Sequence, residues 1–116
     1  MAFSKVEILK RLLNQINQRR HIIGVAVGAG ISAKYAEKGG ADLLLALNSG
    51  RFRQMGVGSL AGLLPFANSN QMVMDFGSKE IIPVVKNTPV IFGLCATDPT
   101  IDLERFIDQI IDNGFS

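Results

Sequence analysis

Two arginines, Arg51 and Arg53, stand at alternate positions directly after the polar residues Asn48, Ser49 and Gly50. Two guanidinium groups can hold a phosphate or a carboxylate through paired hydrogen bonds, and a glycine lets backbone amides approach the same anion. The pattern therefore predicts a site for a small anionic molecule. A solvated or structural loop would explain the same residues, and the sequence leaves both interpretations open.

Three short apolar segments must position this site. They run from Ile22 to Val27, from Leu43 to Leu47 and from Val90 to Cys95. Each is apolar on both faces, which is typical of parallel strands buried on both sides, and the first suits a central strand of the sheet. The second strand delivers the arginines, and we expect a long glycine-rich connection from Asn48 to Phe66 to follow it.

Helical patterns separate the strands. Ser4 and Glu7 match a capping box at the start of a helix that extends to about Asn17. Further helices are predicted from Ser32 to Lys38, from about Met72 with breaks at Gly77 and Pro83, and across Leu103 to Ile111. The fold class is therefore α/β: an N-terminal helix is followed by three strand-helix units with parallel strands.

All three strand-to-helix connections open on one edge of such a sheet because the crossovers are right-handed. Besides the arginine segment, this edge receives Gly28, Gly30 and Ser32 after the first strand and Asp98 after the third. We expect the two glycines and Ser32 to contribute to anion binding. Asp98 is the candidate catalytic carboxylate, although its place before Pro99 equally suits the N-cap of the last helix.

Four segments resemble the phosphoenolpyruvate hydrolase-like (β/α)₈-barrel family: Gly28 to Ala33, Leu47 to Arg53, Gly58 to Pro65 and Gly93 to Pro99. The resemblance implies hydrolysis or rearrangement of a small phosphorylated or phosphonylated three-carbon acid, such as phosphoenolpyruvate or phosphonopyruvate. The arginines would hold its anionic groups, and Asp98 would assist water or orient a metal. The cofactor is unknown; magnesium is the metal that related phosphoenolpyruvate-handling barrels imply, but no metal-ligand cluster is visible.

In such barrels the carboxyl ends of the strands carry function and the opposite face carries stability. His21 and Asp42 precede strands, so we expect structural or solvated roles for them. Cys95 lies at the functional edge without a histidine to lower its pKa, and a small buried core residue is the expected role.

The length of the chain limits the barrel. A closed (β/α)₈ barrel takes about 250 residues, whereas this chain has 116 and three strands. We therefore predict a single domain, residues 1–116, that corresponds to the N-terminal part of a TIM barrel. Its open strands and apolar interior face predict a homo-oligomer.

Composition narrows the cellular context. No apolar run reaches the ~18 residues of a membrane span, so no membrane partner is expected. The single cysteine excludes an internal disulfide and favours a reducing, cytoplasmic compartment. The first 20 residues carry a net charge of about +4 and the last 19 about −4. Because the basic residues are few and lack interleaved aromatics, no nucleic-acid partner is expected.

Two other functions stay open. The sequence from Gly28 to Ala33 matches a dinucleotide fingerprint of the Rossmann type. However, Asn48 stands at the end of the second strand, where an acidic residue would hold the ribose hydroxyls. Alternatively, the chain is a non-enzymatic regulatory or interaction module derived from the same barrel, since the family also supplies a domain of a plant virus-resistance protein.

Overall fold

A computed structural model describes residues 2–116 and confirms the α/β class. Within this range no helix is long and apolar enough to cross a membrane. Two 3₁₀ segments, Ser59–Leu63 and Ile82–Val84, and a π-helical turn, Gly77–Ile81, complete the connections. The main elements in chain order are α1 (Lys5–Asn17), β1 (Gly24–Val27), α2 (Gly30–Lys38), β2 (Leu43–Ala46), α3 (Asn48–Gln54), α4 (Ser69–Phe76), β3 (Val90–Phe92) and α5 (Leu103–Asp112).

The three strands form one parallel sheet in the order β1-β2-β3. In register, Val25 lies beside Leu44, which lies beside Val90. Each strand-helix unit adds its strand on the same side of the previous one, as in a partial α/β barrel. The expectation of a central first strand was therefore wrong: β1 is an edge strand, because within residues 2–116 nothing pairs with its other side.

The core lies between one face of the sheet and helices α2, α4 and α5. Val27, Leu44 and Ala46 are fully buried on this face, and Val73 and Ile110 pack onto it from α4 and α5. The opposite face, which would line the interior of a closed barrel, is apolar but uncovered. Its side chains include exposed Ala26 and half-buried Leu45 and Ile91.

The segment after β2 is more ordered than predicted. Instead of one long loop, it contains α3 and the 3₁₀ turn Ser59–Leu63. Phe52 is buried in α3, and its ring meets the Phe66 ring edge to face with 5.1 Å between centroids. Gly56 follows the helix with φ of 79°, a conformation that favours glycine. Burial of Phe52 thus stabilises this short helix, although the glycines around it predict a loop.

Helix α1 begins with the predicted capping box, in which Ser4 Oγ accepts from the Glu7 amide at 3.3 Å and Glu7 Oε2 accepts from the Ser4 amide at 2.9 Å. The helix connects to the amino-terminal side of the strands through Gln15, whose side-chain amide donates to Asp42 at 2.8 Å. Asp42 also accepts from the Ile23 amide at 2.8 Å. Asp42 therefore has the structural role expected for it.

Helix α5 begins several residues after Asp98, which the sequence predicted as a possible N-cap of this helix. Its N-cap is Asp102, whose Oδ1 accepts from the Arg105 amide at 3.3 Å. The Asp98 carboxylate instead accepts from the amide and the hydroxyl of Thr100, at 2.9 and 2.6 Å. This local turn around Pro99 uses the oxygens that a cap would need, so the N-cap assignment to Asp98 was wrong.

Candidate functional site

The carboxyl edge of the sheet brings together the segments that follow the three strands. After β1 come Gly28, Gly30 and Ser32; after β2 come the residues of α3; after β3 comes the turn from Cys95 to Thr100. All predicted site residues therefore lie along one edge. The structure nevertheless uses them in different ways.

Gly28 and Gly50 allow the backbone of α3 to touch the end of β1. A Cβ on Gly28 would overlap the backbone of Gly50 and Arg51, and a Cβ on Gly50 would lie 3.0 Å from the Val27 carbonyl oxygen. Real Cβ atoms do not come as close to backbone as the one built on Gly28, so this position requires glycine, whereas a Cβ on Gly50 would be tight and would push the end of β1 away. Their close approach serves packing between strand and helix.

Gly30 and Ser32 are also occupied by internal contacts. A Cβ on Gly30 would overlap the carbonyl oxygen of Glu80. The Ser32 hydroxyl donates to the Ala29 carbonyl at 2.8 Å and accepts from the Gln54 side chain at 3.2 Å. These contacts fasten the start of α2 to its surroundings.

Arg51 and Arg53 do not converge on one point, because two residues along a helix correspond to a turn of about 200°. Arg51 donates to the Gly28 carbonyl at 3.1 Å and forms an ion pair with Glu80 at 3.2 Å. Its guanidinium also lies 5.6 Å from the centre of the Phe76 ring. Arg51 is therefore half-buried and has Glu80 as its counterion.

Arg53 lies on the other side of α3 among hydroxyl groups. Its Nε donates to Ser59 Oγ at 2.8 Å and one terminal nitrogen donates to Ser49 Oγ at 3.2 Å. Within residues 2–116 it forms no salt bridge with a carboxylate. Arg53 and Ser59 are exposed and Ser49 is half-buried. This group is thus a cationic, solvent-accessible set of hydrogen-bond donors.

Asn48 links this set to a cavity between the segments that follow β2 and β3. Asn48 Oδ1 accepts from the Ser49 amide at 2.6 Å, and its Nδ2 donates to Ser69 Oγ at 2.7 Å. The cavity has a volume of 450 Å³, and Ser69, Asn70 and Asp98 line its polar part.

Asn70 is buried and organises the far wall of the cavity. Its side chain accepts from the Cys95 amide at 2.8 Å and donates to the Cys95 carbonyl at 2.9 Å and to Asp98 at 3.1 Å. Hydrogen bonds from the Thr100 hydroxyl, the Thr100 amide and the Asn70 side chain lower the pKa of Asp98 below its ordinary value. Asp98 is therefore an ionised carboxylate at neutral pH.

Cys95 lies at this edge with an exposed thiol, so the expectation of a buried core residue was wrong. The chain leaves β3 at Phe92, and the Cys95 side chain contacts Thr97 rather than the core. His21 is exposed on the opposite side of the strands, in agreement with the solvated role expected for it.

The oxygens present do not form a magnesium site by themselves. Across the described residues, no three His, Cys, Asp or Glu side chains come together in a way that could hold a metal ion. Both Asp98 oxygens already accept hydrogen bonds. Residues 2–116 therefore offer Asp98 alone as a carboxylate at this wall, without a second acidic ligand beside it.

Sequence reasoning missed four contributors. Glu80 neutralises Arg51, Ser59 and Ser69 extend the polar surface, and Asn70 holds the turn after β3. A signal existed for Asn70, because it precedes Val73 by three residues and therefore shares its apolar helical face. Glu80 left no signal of this kind, because its contact with Arg51 spans 29 residues of chain.

The chain resembles known proteins across nearly its full length. The "ToMV susceptible protein tm-1(GCR26)" of Solanum lycopersicum is 49% identical over 111 residues, which cover 96% of this chain and 15% of the tomato protein. The "ToMV resistance protein Tm-1(GCR237)" of the same plant is 50% identical over 108 residues, 93% of this chain and 14% of that protein.

A protein of Sinorhizobium fredii, named as a proposed transcriptional regulatory protein y4pA, is 47% identical over 94 residues, 81% of this chain and 15% of that protein. The chain thus spans about one seventh of the length of these relatives. The family model described as phosphoenolpyruvate hydrolase-like matches residues 7–116. On this match, and on the partial barrel that carries it, the chain belongs to the phosphoenolpyruvate hydrolase-like family.

Proposed function

We propose that this chain binds a small anionic molecule, with a phosphate or carboxylate group, at Arg53 on the carboxyl edge of its sheet. The observation that carries the proposal is the hydrogen bonding of Arg53, which reaches Ser49 and Ser59 and no carboxylate within residues 2–116. Arg51, the other candidate, already has Glu80 as its counterion.

The hydrogen-bond inventory of this group favours an anion. A guanidinium has five N–H donors, and two of them are used by the serine hydroxyls. Since both hydroxyl oxygens accept from Arg53, each hydroxyl hydrogen is free to donate outward. The set therefore offers donors from three side chains around one positive charge, and charge-assisted hydrogen bonds of this type are strong.

The adjoining cavity supports a ligand that has a second polar end. Ser69 belongs both to the Asn48 hydrogen-bond chain and to the cavity wall, and Asp98 lies on the same wall. An acid of the phosphoenolpyruvate or phosphonopyruvate class has two anionic groups on three carbons, so one group at Arg53 would leave the rest near this wall. Hydrolysis of such a ligand, with Asp98 assisting water, is the enzymatic form of the proposal.

Calorimetric titration of the purified chain with phosphoenolpyruvate, phosphonopyruvate, pyruvate and inorganic phosphate tests the binding. We expect Arg53→Ala to weaken phosphoenolpyruvate binding at least about tenfold, because a charged hydrogen-bonding partner is lost. Arg20→Ala removes the same charge from an exposed residue outside the edge and is the matched control. Equal weakening in both variants would contradict a site at Arg53.

A regulatory or interaction module is the second candidate. The names of two relatives concern virus susceptibility and resistance, and the name of a third concerns transcriptional regulation. Phosphorus NMR of the titrated mixtures separates the two functions. Release of inorganic phosphate or formation of a new phosphorus species supports the enzyme, whereas ligand binding without any conversion supports the module.

We also propose that the protein is located in the cytoplasm. The support is the single thiol, Cys95, which is exposed and unpaired in the structure and suits a reducing compartment.

A further inference from the structure

Helix α1 has two apolar stripes, and only one of them packs onto the rest of the fold. Ile8 and Leu12 are half-buried, and Gln15 on the same face donates to Asp42. The second stripe is exposed and follows helical spacing. Its members and their exposed fractions are Val6 (75%), Leu9 (48%), Leu13 (56%) and Ile16 (55%).

This second stripe lines a depression in the protein surface. A depression of 760 Å³ runs along it from Val6 to Asn17, and Lys10 contributes to its wall. On a helical projection, Lys5 and Lys10 lie on the two sides of the stripe. The nearest acidic residue of the helix, Glu7, is engaged with Ser4 in the capping box. The stripe is therefore apolar with basic borders.

Helix α5 carries a matching surface of opposite charge. Leu103, Ile107 and Ile111 recur every four residues and are 40%, 40% and 53% exposed. One position after each of them stands an exposed acidic residue, which gives an acidic row beside the apolar row. This acidic row consists of Glu104, Asp108 and Asp112.

We propose that a second copy of this chain covers both surfaces, with α1 of one copy lying on α5 of the other. Apolar rows of about 15 Å on α1 and 12 Å on α5 would meet, given a rise of about 1.5 Å per residue. The basic borders of the first would lie beside the acidic row of the second. In a two-fold dimer the contact forms twice, because each copy supplies both helices.

Two features of the chain favour this pairing over contact between identical helices. Pairing α1 with α1 would bring two basic borders together, and pairing α5 with α5 would oppose two acidic rows, which costs free energy. Moreover, α1 begins where α5 ends, since the Phe3 amide donates to Ser116 Oγ at 2.8 Å. Both surfaces thus start from one corner of the molecule.

Sedimentation velocity over a range of chain concentrations tests the proposal, with circular dichroism as the check on folding. We expect a discrete dimer whose dissociation constant rises with ionic strength, because the charged borders become screened. Leu13→Gln should raise this constant at least about tenfold by removing apolar contact. Leu60→Gln changes a leucine of similar exposure on another surface and should leave the constant unchanged.

Charge reversal identifies the helices that meet. Lys10→Glu should weaken the dimer, and adding Asp108→Lys to the same chain should restore it, since opposite charges again face each other. Failure of the second change to restore the dimer would overturn the pairing of α1 with α5. A chain that is monomeric at every concentration, or a dimer unaffected by Leu13→Gln, would overturn the proposal as a whole.

Discussion

The side-chain amide of Asn70 pairs with the backbone of Cys95 in both directions, accepting from its N–H at 2.8 Å and donating to its carbonyl at 2.9 Å. This is the geometry of a strand pair, with a side chain in place of one strand. Through this contact, the first turn of α4 holds the segment that follows β3 in place. Asn70 thus holds the part of the cavity wall that Cys95 and Asp98 form.

Replacement of Asn70 should therefore be costly. Asn70→Ala leaves the Cys95 amide without its partner, and the Cys95 carbonyl keeps only a 3.4 Å hydrogen bond from the Asp98 amide. We expect a loss of about 2–4 kcal/mol in the free energy of unfolding, measured with denaturant. Asn68→Ala is the comparison, because Asn68 accepts a single capping hydrogen bond at an exposed helix end. Its loss should be about 1 kcal/mol. Equal losses would contradict the special role of Asn70.

The contact between Gly28 and Gly50 predicts a second large effect. Gly28→Ala places a methyl group against backbone atoms of Gly50 and Arg51, which cannot move without shifting α3. We expect destabilisation of about 2 kcal/mol or more, as found for overpacking. Gly58→Ala is the control, since its Cβ would meet nothing within 4 Å. Thermal unfolding of the two variants should give clearly different midpoints.

Glu37 predicts a pH-dependent contribution to stability. Its carboxylate accepts from the backbone amides of Lys86, Asn87 and Thr88, and so joins α2 to the segment before β3. Partial burial raises the pKa of Glu37, but these hydrogen bonds outweigh burial and hold the pKa below its ordinary value of 4.5.

A lowered folded-state pKa stabilises the protein above the unfolded pKa, and this contribution disappears as the pH falls through the folded value. We expect Glu37→Gln to cost about 1–2 kcal/mol at pH 7. The difference from the unchanged chain should shrink as the pH falls below about 4.5. Urea unfolding at several pH values measures it, and a difference that is independent of pH would contradict the role of the charge.

Substitution of Arg51 should lower the stability of the fold, whereas substitution of Arg53 should lower its affinity for the ligand. Arg51→Ala removes a hydrogen bond to Gly28, the ion pair with Glu80 and the contact with Phe76, and we expect a loss of about 1–2 kcal/mol on unfolding. Its affinity for phosphoenolpyruvate should stay unchanged. Arg53→Ala should weaken the binding of phosphoenolpyruvate and leave the free energy of unfolding nearly unchanged. A strong loss of binding in the folded Arg51 variant would contradict the division of roles.

The sequence was sufficient for the features that local patterns determine. The capping box of Ser4 and Glu7, the three parallel strands and the breaks at Gly77 and Pro83 all follow from short-range spacing. The family was identified from segments that lie along one sheet edge.

The site could not be predicted in full because its geometry depends on distant contacts. Two arginines at alternate positions face the same way on a strand or in an extended loop, but opposite ways on a helix. Helix α3 depends on the packing of Phe52 against Phe66. The glycines around Phe52 predict a loop instead, so the sequence pattern does not indicate this helix. Likewise, the turn at Asp98 depends on Asn70, 28 residues earlier.

The order of the strands in the sheet is also their order in the chain. Within residues 2–116, β2 and β3 each dock onto the strand made just before them, so their partner in this sheet is already synthesised. Such a sheet can grow in the direction of translation, from β1 towards β3, while the ribosome is still extending the chain. β3 is also held by Ser116, whose amide donates to the Val90 carbonyl at 2.9 Å and whose hydroxyl oxygen accepts from the Phe3 amide. Ser116 thus joins β3 to the segment that precedes α1.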